Sequence, residues 1–555
     1  MVYHLPVELV VKVLENVDPQ TLSSCKATCR TLRHLVRTTS SLAYPALLAA
    51  HALTPTTAHL SSTAETDSRT RLYRLHAYLA SWRSLRFPPA LDLRTDAGWQ
   101  LHNGRVLSKR VLGSSAAAFL RLPSRVRAVP AHAWTVPGIP PHALIALDAI
   151  QDLLLVVQRQ APTPLSLFGA DAMPRRDDDG WLARPLCLSS GARHPRRVAD
   201  GLAHRLFPHT MPSGDVTSVR DLRICGNTIG ILCGSKPQNM QLVLYDWITG
   251  ALLAVRALPM LSLFFYLLTE RAHQAIPAPT LVSFVFVTPT RILIAARERP
   301  IGPRASTYRQ IPILLLHDLA GPADTQPIRF ALPAFPDGGF VAGMDLTADG
   351  PAADIAADGC EGLFAPARAP ATRTLALWLQ HEPDAKRAPN TWVAYTLVIA
   401  ARAFDRVGPD ATPGATVPWA AWGPCHTRLL PGSERVVLVD GRAARRVGTA
   451  ELQVYDFVPA RVRRAARPGA AALTREVVRG SSAWPHAAGG AATALPYVST
   501  RVRLPVAVGE VGEVHTCEDG LIYEIPVRAT QDAGEGAAAV EMWAEGERRL
   551  LVCTA

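Results

Sequence analysis

The sequence predicts a multidomain chain of the α + all-β class: a small three-helix unit, a connecting helix, and then a large, mainly antiparallel β domain. A change of period carries the prediction. Apolar residues recur at helical spacing through roughly the first ninety residues, after which short β-prone runs alternate with Gly-, Pro- and Asp-rich turns. The boundaries read as residues 1–45 for the three helices, 46–90 for a helical linker and 91–555 for the β domain. With 48% apolar and 19% charged residues, the composition is that of a folded protein rather than a disordered or fibrous one.

Pro6 opens the first helix, where its missing N–H would be unsatisfied in any case, and Leu9, Val10, Val13, Leu14 and Val17 follow at helical spacing over roughly residues 6–16. Asp18-Pro19 repeats the device, a capping side chain before a proline at the first helical position. Leu22, Cys25, Cys29, Leu32, Leu35 and Val36 then carry the stripe through a second and a third helix. A unit of about 40 residues buries too little apolar surface to be stable alone, so a partner protein is implied.

Leu5-Pro6-x-Glu8-Leu9, Val13-Leu14-x-x-Val17-Asp18-Pro19, Leu22-x-x-Cys25 and Thr28-Cys29-Arg30-x-Leu32 together resemble the F-box, the docking module for the Skp adaptor. The resemblance assigns Leu5, Pro6, Leu9, Val10, Val13, Leu14, Leu22, Cys25, Cys29 and Leu35 to the adaptor interface or its support. It departs from the family at Val13 and Val17, where Ile and Leu are commoner, and at Thr28, where Val is usual. The alternative is an amphipathic bundle packed on its own domain.

Ser62-x-x-Glu65 has capping-box spacing, and Leu72, Leu75, Leu79 and Trp82 form a stripe along a connecting helix to about Arg86. An F-box, a short apolar segment around Ala43 to Leu53, and a helix ending in Trp82-Arg83-Ser84-Leu85 resemble the layout of a group of F-box proteins from mushroom-forming fungi.

In the β region three segments look alike, Leu242 to Asp246, Leu314 to Asp318 and Leu452 to Asp456, each an apolar strand closing on an aromatic or His followed by Asp. Turns at Gly226-Asn227, Thr288-Pro289 and Pro431-Gly432 lead into the strand before each, and Asp519-Gly520 introduces a fourth set that includes Trp543. The aspartates lie 72 and 138 residues apart, one and nearly two units of a degenerate repeat. Such a unit is a propeller blade with long loops, which predicts a six- or seven-bladed β-propeller, with β-sandwiches as the alternative. The repeated Asp reads as a turn that pins neighbouring strands. Polar, Pro-rich stretches at 174–180, 320–328 and 465–496 read as surface loops.

Lys plus Arg exceed Asp plus Glu by 12, almost all of it Arg, since only Lys12, Lys26, Lys109, Lys236 and Lys386 occur. That balance favours acidic partners. Its concentrated element is Arg461-Val-Arg463-Arg464, read as a strand end and a weak candidate for binding an acidic or phosphorylated target. Without interleaved aromatics it makes nucleic acid an unlikely partner. No phosphate loop, His-Glu-x-x-His, Cys-x-x-Cys or Gly-x-Ser-x-Gly occurs, so neither an enzyme, a metal nor a cofactor is expected.

The apolar run from Ala257 to Leu268 is short of the roughly 20 residues that span a bilayer, and its bland reading is a buried strand or core helix. The nine cysteines form no disulfide-like framework and the start has no secretory layout, which points to the cytoplasm or nucleus. The resemblance thus implies a substrate receptor of a cullin ubiquitin ligase: the helices hold the adaptor and through it the cullin, and the β domain holds an unidentified protein target. A scaffold that binds the adaptor outside a ligase, a propeller enzyme and a nucleic-acid-binding protein are the alternatives. Scarce lysines would spare such a receptor from modifying itself.

Overall fold

The computed structural model describes the chain apart from residues 1–4, 57–66, 96–97, 112, 160–180, 198–203, 207–217, 235–239, 258–278, 299–310, 323–324, 334–339, 351–362, 367–372, 383–391, 408–411, 432–434, 448–450, 467–474, 485–490, 504–513, 530–541 and 555. The Ser62-x-x-Glu65 box and most of the apolar run at 257–268 fall outside the described residues.

Pro6 precedes α1 (Val7–Glu15), and Asp18 caps α2 (Pro19–Thr28) by accepting the backbone N–H groups of Gln20 and Thr21 at 2.9 and 3.0 Å. Cys29 occupies the N-cap of α3 (Arg30–Thr38), its Sγ accepting from Leu32 N–H at 3.4 Å. The apolar segment beyond it is a fourth helix, α4 (Ser40–Ala50), and the expected boundary at 45/46 falls inside it. Residues two apart on a helix point about 200° apart, and α4 uses this. Leu42 and Ala46 pack with Leu14, Leu22 and Val36 in the core of the first three helices. Tyr44 and Leu48 face the opposite way and pack with α5 (Ser68–Ser84) and the β domain.

The β domain is a seven-bladed propeller, which settles the expected six or seven and sets the sandwich alternative aside. The strands nearest the axis are Gln100–His102, Leu144–Asp148, Ser218–Cys225, Thr280–Thr288, Phe340–Ala348, Leu438–Val439 and Val514–Thr516, and all seven line one central cavity. Within blades neighbouring strands pair antiparallel, as in blade 3, where Ile231 faces Val243, except that Thr416–Val417 adds to the edge of blade 4 in parallel. Apolar clusters fill the spaces between blades, such as Leu155 and Val157 of blade 2 against Ile229 and Ile231 of blade 3. Between blades 4 and 5 the filling includes α6 (Arg402–Val407) and α7 (Trp419–His426), whose Phe404 and Trp422 meet Phe330 edge-on at 5.0 and 5.5 Å.

The repeated aspartates end the third strands of blades 3, 4 and 6 and act as turn pins. Asp246 accepts from Ile248 and Thr249 N–H (both 2.9 Å), Asp318 from Ala320 N–H (3.0 Å) and Asp456 from Val458 N–H (3.1 Å). The blade 6 hairpin turns at Asp440-Gly441, with φ of +51° and +66°, the left-handed pair that a two-residue hairpin requires. Pro431, where the sequence placed the turn leading into Val436, ends the outer strand of blade 5.

Pro89–Thr95, directly after α5, pairs with Met542–Thr554, so blade 7 is assembled from both ends of the chain and closes the ring. The linker helices sit over this blade and its neighbour. Leu75, Tyr78, Leu79, Trp82 and Leu85 pack against Ala444, Leu452 and Val454 of blade 6 and Leu521 of blade 7. Leu53–Pro55 adds a short antiparallel ladder to Phe364–Pro366, an insertion of blade 5. Trp82 is the largest side chain in the seam, and Trp82→Ala is expected to lower the unfolding free energy by about 3 kcal/mol, read as a reduced urea midpoint.

Candidate functional site

On α1 the apolar stripe divides. Leu14 is buried and Val10 half-buried toward the small core, while Leu9 (51% exposed) and Val13 (61%), one turn apart, share an outward side; Leu5 (50%) and Val7 (59%) are exposed at the helix start. Those four are half of the large apolar side chains that stand exposed among the described residues, gathered within nine positions. Pro6 is exposed beside them, Leu22 is buried, and Cys25, Cys29 and Leu35 are half-buried and support the face from below. Val7, which the sequence reading did not name, is exposed at the helix start.

The second candidate corrects the sequence reading. Arg461, expected on a strand end, lies in α8 (Pro459–Ala465) and is buried. Its guanidinium donates to His51 O (3.2 Å) and Asp440 O (3.1 Å) and pairs with Asp440 (2.5 Å) and Asp456 (3.6 Å). Arg442 pairs with the same two carboxylates at 3.0 and 3.5 Å and lies 3.9 Å from the Trp82 ring centroid. Arg461 is therefore a structural cation that a target cannot reach. Burial pushes the Asp440 carboxyl above its usual range, and the two arginines oppose that. Arg463 is exposed and Arg464 half-buried on the outer side of the same helix.

The axial cavity encloses about 680 Å³. Arg220, Arg223, Arg373 and Arg435 line it with Asp148, Asp221, Glu524, His102 and His515. Many of these groups are committed to the wall. Arg223 pairs with Asp221 at 3.0 Å, Arg435 with Asp345, and Arg373 with Asp349 at 3.5 Å while donating to Val287 O at 3.0 Å across blades. Asp148 accepts from Ile150 N–H and the Gln151 amide at 3.0 and 2.9 Å. Burial drives His102 down to about 4, so its imidazole is neutral at pH 7. Among the described residues no group of three or more His, Cys, Asp or Glu could hold a metal ion, and no helix is long and apolar enough to cross a membrane.

A smaller cavity of about 140 Å³ adjoins the closing blade beside Glu518 and Asp519. Glu518 bridges Arg105 (2.6 Å) and Arg127 (2.5 Å), and Asp519 lies 3.4 Å from Arg127. Asp519 is pushed up to about 6, first by burial and then by Glu518, against the pull of Arg127.

The F-box-like family model matches residues 2–44. No curated protein matches the chain. Solved structures similar to it include the WD40 domain of Toxoplasma gondii coronin, at 9% identity and a TM-score of 0.32, covering 84% of this chain and 87% of that one. The β-propeller domain of the Trilobed protease from Pyrococcus furiosus follows at 7% and 0.31, covering 83% and 98%. Drosophila Plexin A in complex with Semaphorin 1b stands at 8% and 0.33, covering 84% and 87%. The propeller assignment rests on the sheet order of this chain. The chain thus joins an F-box-like helical module to a seven-bladed β-propeller.

The closing cluster gives a pH dependence. Asp519 titrates higher in the folded state than in the unfolded chain, so its contribution to stability is complete below about 4 and is lost as pH rises through about 6. Asp519→Asn removes that titration. The stability of the wild type relative to the variant, from urea titrations at a series of pH values, is expected to fall across that window.

Proposed function

We propose that this protein is the substrate receptor of a cullin ubiquitin ligase of the SCF type, docking a Skp-family adaptor through α1 and its supporting helices and holding a protein target on the propeller. F-box-like domains bind Skp-family adaptors. The observation that carries the reading here is the exposed pair Leu9 and Val13 on α1, with Leu5 and Val7 exposed at the helix start, in a module whose larger apolar residues are otherwise mostly buried or half-buried. An apolar helix face of this kind serves as an anchor for a partner's groove.

In this reading the chain has no reacting side chain. It works by proximity, raising the concentration of target lysines near the transferring enzyme. The axial wall supports the reading, because Asp221 and Asp148 are engaged with Arg223 and with a turn rather than poised for proton transfer. Such a receptor would work in the cytoplasm or nucleus, and its F-box, linker and propeller layout would place it with the F-box proteins of mushroom-forming fungi.

Leu9→Glu/Val13→Glu is expected to cut adaptor binding at least about a hundredfold, as two hot-spot anchors at about 2 kcal/mol each would. The thermal midpoint should stay unchanged, since both side chains are already exposed. Co-purification and titration calorimetry with the adaptor read the first, and a melting curve reads the second. Adaptor binding unaffected by the double substitution would sink the docking assignment.

A further inference from the structure

The helical part of the chain holds most of its excess positive charge. Residues 19–91 carry nine Lys and Arg against two carboxylates, Glu65 and Asp67, and so account for seven of the twelve net positive charges. From 19 to 64 there is no Asp or Glu at all, and α3 lies within that span. At 100° per residue, Arg30, Arg33, His34 and Arg37 of α3 fall within an arc of about 100°, and all four are exposed. Val36, with Leu32 and Leu35, lies on the opposite arc and packs into the core of the docking module. The backbone of one helix therefore sets the gathering of the cations.

Nothing in the module neutralises this stripe. Arg33 donates from Nε to Lys26 O at 3.2 Å, a contact with the end of α2 that leaves its charge in place. Arg30, His34 and Arg37 form no side-chain hydrogen bond or ion pair among the described residues. Of the earlier carboxylates, Glu15 pairs with Lys12 at 3.7 Å and Asp18 caps α2, and no ion pair joins either of them, or Glu8, to α3. The arrangement works against the helix itself. Arg33 and Arg37 are like charges at i, i+4, and Arg30 sets a cation at the positive end of the helix dipole. Carboxylates laid along the stripe reverse both effects, and the planar guanidinium fork suits a carboxylate's pair of oxygens.

We propose that the outward side of α3 is a docking surface for an acidic helix of a protein partner, whose carboxylates pair with Arg30, Arg33 and Arg37. Charge complementarity and spacing define the occupant. The stripe runs over two turns, about 10 Å, at the repeat of one side of a helix, so a partner helix with carboxylates at i, i+4 and i+7 matches its length and its period. The surface is charged and belongs to α3, whereas the outward side of α1 is apolar at Leu9 and Val13. It therefore stands whether or not α1 binds an adaptor.

The test uses the full chain and fluorescence anisotropy with three labelled, helix-forming, alanine-based peptides. One carries its glutamates along one side, an isomer of the same composition spreads them round the helix, and the third has glutamine in their place. The one-sided peptide is expected to bind more tightly than its isomer, and the glutamine peptide not to bind. Arg30→Glu/Arg37→Glu should weaken binding at least about tenfold, and raised salt should weaken it in the wild type. Both side chains are exposed, so this variant should keep the wild-type melting curve; the neutral pair Arg30→Gln/Arg37→Gln should show a smaller loss of the same sign. Arg69→Glu/Arg83→Glu makes the same change of charge at two exposed positions of α5 and should leave binding within about twofold of the wild type. Failure of the one-sided peptide to bind, equal binding of its isomer, an equal loss from the α5 variant, or displacement of the peptide by a single-stranded RNA at lower concentration would each overturn the proposal.

Discussion

The arrangement of the molecule depends on α4 being buried on two opposite sides. Leu42 and Ala46 complete the core of the docking module, and Tyr44 and Leu48 enter the core between α5 and the propeller. One helix thus belongs to both cores, with Pro45 in its interior between the residues that serve them. Tyr44 fixes the contact further by donating to Leu363 O at 3.0 Å. Through α4 the exposed side of α1 is connected to the propeller by packing on both sides. A scaffold that works by positioning needs this, because reach and angle set the effective concentration of what it holds.

Below α4 the seam is held by buried charge. Removing one member of a buried ion-pair cluster leaves an uncompensated charge, whereas the intact cluster gains little over apolar packing. The Arg442, Arg461, Asp440 and Asp456 cluster therefore selects one docking geometry more than it adds stability. Tyr78 links it to the closing blade. Its hydroxyl accepts from Arg442 at 3.2 Å and donates to Glu518 O at 3.4 Å, so a single phenol spans the charge clusters of blades 6 and 7. Burial raises the pKa of that hydroxyl, which keeps it a donor across the physiological range.

The docking module was legible because its chemistry is local: a proline before a helix, an Asp-Pro cap and stripes at helical spacing each act within a few residues. The propeller was legible in part. The turn-pinning aspartates kept the period visible in blades 3, 4 and 6, and their spacing matched one and two blades. In blade 5 the corresponding strand, Val393–Ala400, ends in alanine, and Ala401 N–H instead bonds Arg373 O at 2.9 Å, so the mark is lost. The turn read at Pro431-Gly432 begins where the outer strand of blade 5 ends, and the hairpin of blade 6 comes later, at Asp440-Gly441. Arg461 could not be read at all. A sequence displays a charge but not its burial, and this one is buried between blade 6, which supplies Asp440 and Asp456, and the backbone of His51, 410 residues away. The two-sided burial of α4 was hidden for the same reason: its apolar residues show no single stripe, since they serve two cores.

Blade 7 joins Pro89–Thr95 to the last strand of the chain, and this sets an order of events during synthesis. The docking helices emerge first and have their own small core, whereas the strand after α5 must wait for its partner until some 450 residues have followed. Blades 1 to 6 can stack meanwhile, each against its predecessor, but the ring closes only once Met542–Thr554 has been made. In the proposed role, an adaptor that meets the nascent chain could engage α1 before the propeller has closed.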